Sequence, residues 1–227
     1  MADQDDDQGQ AIGQFREKLI RRKQEWAAEG RLLTGRASRP EAERLPPGQR
    51  EVKTWPVLDL GAQPSIDLKH WRLTIDGLVE NPVVLDWQKF QDLLPHAEST
   101  SDIHCVTAWS RYDNHWRGVL VTDLLALVRP RAEARFVLLQ SYDTYTTNLP
   151  LDEFAVPDAL LATHWEGEPL TVEHGGPLRV VVPQLYFWKS AKWVKRITFA
   201  ADDQPGFWEV RGYHNHGDPW EEQRYSE

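Results

Sequence analysis

Two spacings of apolar residues alternate along this chain, and neither persists for long. Between residues 71 and 79, Trp71, Leu73 and Ile75 are apolar while Arg72, Thr74 and Asp76 are polar, and Gly77 ends the run. That period of two predicts a strand with one buried face. Glu80-Asn81-Pro82 predicts a turn into a second strand over 83–85, after which Asp86 stands as the N-cap of a short helix over 86–94. Residues 99–105 predict a strand running into a loop, with Cys105 near its end. Further along, the pattern predicts a helix over 121–128 closed by Pro130 and a strand over 136–140. A polar, aromatic loop or irregular strand follows over 141–149, then a weak helix over 151–163. Strands are predicted over 170–174 and 178–182, either side of Gly175-Gly176-Pro177, and over 193–199. No repeat is visible. Short strands and short helices interleave without a βαβ rhythm, so the predicted class is α+β with a mixed sheet core.

The N-terminal part reads differently. Residues 1–10 are polar and acidic, the composition of a disordered tail. Ile12, Phe15, Leu19 and Trp26 recur at helical spacing across 12–33, although Arg22 and Lys23 interrupt the stripe. Pro46-Pro47-Gly48 makes a stiff turn. The expected division is therefore 1–49 as tail, helix and linker, and 50–227 as one compact domain.

Composition narrows the function classes. A net charge of −9 argues against nucleic acid, whose phosphates require a clustered basic surface. No run approaches the roughly 20 apolar residues needed for a membrane span. The acidic N-terminus has no apolar h-region and does not read as a secretory signal. With one cysteine in 227 residues, a reducing cytoplasm is the expected location. Eleven tryptophans are the outlying number, suited either to a flat-ringed ligand or to extended sheet packing.

Two stretches carry candidate chemistry. Cys105, the lone thiol, is followed by Trp109, Tyr112 and Trp116, aromatics suited to walling a pocket. Its readings are buried filler, nucleophile with His104 or His174 as base, or ligand to a soft metal. The second stretch runs from His174-Gly175-Gly176-Pro177-Leu178-Arg179 to Tyr186-Phe187-Trp188-Lys189-Ser190-Ala191-Lys192-Trp193. Glycines that bare backbone N–H groups, a guanidinium and ammonium groups make up a phosphate or pterin-phosphate cradle, or else a plain hairpin turn. Arg111, Arg117 and Lys189 read as surface charges, with attraction of an anion as the second reading. His214 and His216 form a His-x-His pair, a weak metal signal by itself. Tyr213 and Trp220 read more simply as clamps for the tail.

In combination these pieces closely resemble the sulfite-oxidase-type molybdopterin domain, in its small single-domain bacterial branch. The resemblance rests on Cys-Val-Thr-Ala-Trp-Ser from Cys105, Trp-x-Gly-Val from Trp116, and the His-Gly-Gly-Pro-Leu-Arg and Lys-Ser-Ala-Lys pieces, in one order over residues 50–227. It implies a sulfite-oxidase-like fold of mixed β-sheets with short helices, and a molybdenum-molybdopterin cofactor with Cys105 as thiolate ligand to the metal. It also implies cofactor contacts from His104, Ser141, His174, Arg179, Ser190, Ala191 and Lys192, and from a wrapping segment near 57–59. The implied activity is two-electron oxygen-atom transfer on a small S-oxide, N-oxide or sulfite-like substrate, with electrons passing to a separate partner protein. A non-catalytic pterin-binding module and a cofactor-free thiol enzyme are the alternatives. Animal and plant sulfite oxidases follow the ligand cysteine with an arginine-rich sequence. Val-Thr-Ala-Trp-Ser stands here instead, closer to the bacterial methionine-sulfoxide reductase catalytic subunits, which turns the expectation away from sulfite itself.

Overall fold

The structure is a computed structural model, and it describes residues 43–59, 61 and 63–226. The helix expected over 12–33 lies outside the described residues. In chain order the first strands are β1 (Arg50–Glu51), β2 (Arg72–Gly77), β3 (Val83–Asp86), β4 (His96–Cys105), β5 (Trp109–Leu120) and β6 (Phe136–Ser141). They are followed by β7 (Thr146–Pro150), β8 (Leu160–Trp165), β9 (Glu168–Pro169), β10 (Arg179–Val181) and β11 (Val194–Ala200). Three short α-helices interrupt them: α1 (Trp87–Leu93), α2 (Val121–Val128) and α3 (Leu151–Phe154). Asp86 caps α1 as expected, its carboxylate accepting from the Lys89 amide at 2.8 Å.

Two mixed sheets form the body. One has the order β1-β5-β8-β10, with β4 also on β5 and β9 on β8; β1 runs parallel to β5 and the other pairs are antiparallel. The other has the order β3-β2-β11-β6-β7, with β2 and β11 parallel. Alternation on β2 buries Trp71, Leu73 and Ile75 in the main core beside Val119 of β5, Leu124 of α2 and Val180 of β10, so one core joins both sheets. A second core gathers Trp55, Ile103, Cys105, Trp109, Trp116, Leu160 and Val181 around β4 and β5. The α+β class with mixed sheets and short helices is borne out.

Three local expectations are corrected. The weak helix over 151–163 is only α3, because Pro157 breaks it and Leu160, Leu161 and Ala162 are buried in β8 between β5 and β10. Residues 170–174 are no strand: Val172–His174 forms a 3-10 turn that Gly175 ends in the left-handed region. The 12-residue β5 bears the heaviest pairing of its sheet, yet its mixed polar and aromatic sequence did not announce a strand. Residues 43–49 lie against the domain, where Arg44 bonds Asp102 at 2.6 and 2.7 Å and Gln49 donates to the Cys105 carbonyl at 3.1 Å.

Candidate functional site

β4 ends at Cys105, which pairs with Trp109 across a tight turn closed by the Ala108 amide on the Cys105 carbonyl. That turn delivers the sulfur to a cavity of about 320 Å³. Trp55, Tyr145, Phe187, Trp188, Trp208 and Tyr213 supply much of its wall, and Cys105, His174, Arg179, Ser190, Ala191 and Lys192 also line it. Of the sequence-predicted site residues, these six are brought together. Pro56, Leu58 and Asp59 line it too, so the segment near 57–59 does border the site.

His104 and Ser141 are not on the lining. Neighbours on a strand face opposite sides, and His104 turns to the other side of β4, bonding Ser110 Oγ at 2.8 Å with Trp220 edge-on at 4.8 Å. Ser141 ends β6 fully buried, its hydroxyl without a partner among the described residues; Asp143 and Tyr145, two and four residues on, reach the cavity.

The thiol is held at 3.2 Å from Thr107 Oγ1, and burial pushes it up from the ordinary cysteine range. Both ring nitrogens of His174 are engaged elsewhere, on Thr171 Oγ1 at 3.0 Å and the Trp55 carbonyl at 3.3 Å. No thiol–imidazole bond forms among the described residues, so the arrangement a cofactor-free thiol enzyme requires is missing there. Burial pushes the His174 imidazole down, which favours its neutral form, and the ring stacks on Trp55 at 4.1 Å.

Arg179 is the charged centre of the other side. It is 3% exposed, begins β10, and donates to the carbonyls of His174 at 2.7 Å and Ser190 at 3.0 Å. Its guanidinium lies 4.1 Å from the Phe187 ring and 5.1 Å from that of Trp55. Among the described residues no carboxylate comes within ion-pair distance of Arg179 or Lys192. Burial pushes Arg179 down to about 9, and burial with repulsion from Arg179 brings Lys192 to about 8. A buried guanidinium adjoining a half-buried ammonium, neither closed into an ion pair among the described residues and the second only partly offset by the more distant Asp59, Asp143 and Glu173, is a setting an anionic ligand completes. The backbone agrees, since the amides of Ala191 and Lys192 donate to no acceptor among the described residues. Gly175 is required because a Cβ there would come within 2.9 Å of Lys192 Cγ and 3.1 Å of Arg179 Cβ, crowding both cations.

Lys192 Nζ also donates to the carbonyls of Leu58 and Glu173, each at 2.8 Å, tying the 57–59 segment to the 3-10 turn. Lys189 is a correction: it is no surface charge but fully buried, 2.7 Å from Glu209. Arg111 packs over Trp165 and pairs with Glu166, while Arg117 is exposed. Trp116 is core and Tyr112 lies against Arg44, so of the three aromatics after the cysteine only Trp109 lines the cavity. The other rings come from 55, 145, 187–188, 193, 208 and 213, far apart in sequence and marked only by the excess of tryptophan. His216 bonds Glu153 and Gln223, and His214 accepts from the amides of His216 and Gly217. These histidines secure the tail, together with Tyr213 stacked on Trp208 and Trp220 bonded to the Glu43 carbonyl.

Among the described residues no group of three or more His, Cys, Asp or Glu could hold a metal ion. A metal bound at the lone thiol therefore needs its remaining donors from a ligand. A cavity with one soft sulfur, aromatic walls and two cations outside any ion pair among the described residues fits a sulfur-bearing, flat, phosphate-ended cofactor.

Comparison with known proteins agrees with this geometry. The family described as "Oxidoreductase molybdopterin binding domain" matches residues 60–208. The "Uncharacterized oxidoreductase YuiH" of Bacillus subtilis (strain 168) is 47% identical over 187 residues, 82% of this chain and 94% of that protein. The "Protein-methionine-sulfoxide reductase catalytic subunit MsrP" of Ralstonia nicotianae is 28% identical over 65% of this chain, and that of Burkholderia mallei 30%. Each match spans only 49% of the reductase. Among solved structures, the sulfane dehydrogenase SoxCD of Paracoccus pantotrophus superposes with a TM-score of 0.58 over 67% of this chain and 43% of that one, at 22% identity. That likeness shows the fold, which is of the sulfite-oxidase type.

Proposed function

The chain belongs to the family of oxidoreductase molybdopterin-binding domains, and from that premise we propose that its cavity holds a molybdenum-molybdopterin with Cys105 as the protein's ligand to the metal. The observation carrying this reading is that the lone thiol and the cations Arg179 and Lys192, neither in an ion pair among the described residues, line the same cavity. When bound, the group supplies a two-electron couple and an acceptor for one oxygen atom. The chain's own residues do the rest. Arg179, Lys192 and the amides of Ala191 and Lys192 take the phosphate, while the Leu58 and Glu173 carbonyls hold Lys192 in place. Trp55, wedged between His174 and Arg179, orders the ring system and excludes water. Cys105 gives up its proton on binding, because a soft metal stabilises the thiolate far more than burial disfavours it.

The proposed reaction is reduction of a small S-oxide or N-oxide: substrate, two electrons and two protons yield the deoxygenated product and water. A separate protein supplies the electrons. A reducing compartment is part of the proposal, because Cys105 must stay reduced to serve as ligand. Elemental and pterin analysis of purified protein is the test, with about one molybdenum per chain expected. A Cys105→Ser protein that kept full metal and full S-oxide reduction with a reduced viologen dye would overturn it.

A further inference from the structure

Trp188 is held more closely than its place on a cavity wall requires. Its ring stacks on Tyr186 with centroids 5.2 Å apart and meets Tyr213 edge-on at 5.1 Å. The Tyr145 hydroxyl donates to its carbonyl at 2.6 Å. Gly217 leaves room for its edge, since a Cβ there would approach Trp188 Cζ2 to 2.8 Å. Its indole N–H donates to Glu209 Oε1 at 2.9 Å.

Glu209 is the unusual partner. Its side chain is 1% exposed, and the same oxygen also accepts from Thr147 Oγ1 at 2.9 Å and lies 2.7 Å from Lys189 Nζ. Lys189 in turn donates to the carbonyls of Asn148 at 2.7 Å and Asn215 at 2.6 Å. Buried ion pairs contribute little net stability compared with apolar replacements of similar volume, so stability alone does not account for this one. An apolar side chain cannot accept the one donor an indole has. Three donors from β7 and the 187–189 turn converge on a single oxygen, which leaves the Trp188 ring one orientation. The neighbours of Glu209, Trp208 and Tyr213, line the same cavity and stack on each other at 4.8 Å. Trp188, Trp208, Tyr213 and Cys105 all line it. The Trp188–Tyr213 wall and the thiol therefore face one cavity.

We propose that Glu209 is a positioning residue for substrate selection: by accepting the Trp188 indole N–H it fixes the aromatic wall of the cavity that Cys105 lines, and so sets the size of the S-oxide or N-oxide admitted. This rests on the functional reading above.

Two double variants of the holoenzyme separate positioning from folding. Glu209→Gln with Lys189→Met removes both charges but keeps an acceptor for the indole. Glu209→Leu with Lys189→Met removes the acceptor as well; Glu209→Met replaces Leu should that protein not fold. The readouts are hydrogen exchange of the Trp188 indole N–H in tryptophan-labelled protein, assigned with Trp188→Phe, and the ratio of kcat/KM for dimethyl sulfoxide to that for a bulky aryl sulfoxide. The Gln variant is expected to keep a protected indole and the wild-type ratio. The Leu variant is expected to lose protection and to shift the ratio about tenfold, the loss of one well-placed hydrogen bond. If the two behave alike, whether both keep or both lose selectivity, the proposal is overturned. If wild type carries no molybdopterin or reduces no S-oxide, the functional reading has failed, and indole exchange still decides whether Glu209 holds Trp188.

Discussion

His104 and Cys105 are consecutive residues on β4 that serve opposite sides of it: the thiol opens on the cavity, and the imidazole closes on Ser110 and Trp220. Their substitutions should separate cleanly. Cys105→Ser is expected to fold and to lose most of its molybdenum. His104→Ala is expected to keep the metal but to lose about 1–3 kcal/mol of stability, through the lost bond to Ser110 and the space left behind. Elemental analysis and urea unfolding of both proteins check this.

The cations of the cavity tie cofactor affinity to pH. Lys192 gives up its proton at about 8 in the folded protein, against an ordinary 10.5. Between those values the unfolded chain binds more protons, so the cofactor-free protein gains stability from this group as pH rises from 8 towards 10.5. Phosphate binding requires the charged form and should weaken over the same interval. Melting curves and pyrophosphate titrations from pH 7 to 10 test both effects, and Lys192→Met should flatten each relative to wild type.

Trp55 touches Trp116, Trp165, His174 and Phe187 and lies under the Arg179 guanidinium. Trp55→Ala is expected to cost about 3–5 kcal/mol. Arg179→Met, by contrast, removes a buried cation that has no carboxylate partner, and should leave the cofactor-free protein as stable or more so while abolishing pterin retention. Denaturation midpoints and pterin fluorescence after release separate the two.

Burial of Cys105 makes a specific prediction for alkylation. With the thiol pushed up, cofactor-free protein should react slowly with iodoacetamide at pH 7 and faster as pH rises, since the thiolate is the reactive form. Cofactor-loaded protein should resist at every pH. Mass spectrometry of the peptide containing Cys105 gives the answer, and rapid labelling at pH 7 would restore the thiol-enzyme reading.

Local pattern determined a good deal about this protein. The alternation of Trp71, Leu73 and Ile75, the Asp86 cap and the Pro130 stop each depend on neighbours within a turn or a strand, so they were legible one stretch at a time. The lone thiol and the Gly-Gly-Pro-Leu-Arg turn were legible as a site only through their resemblance to a known family, because each alone also reads as core filler or a hairpin turn. Tertiary structure decided what depends on contacts between distant segments. Residues 160–162 became a strand because β5 and β10 flank them. Lys189 went inside because Glu209, twenty residues on, is there to meet it, and the cavity's rings assembled from segments scattered between Trp55 and Tyr213. A charge or a ring has the same formula at the surface and in the interior; its role follows from which partners the fold brings within a few ångströms, and no window of sequence contains them.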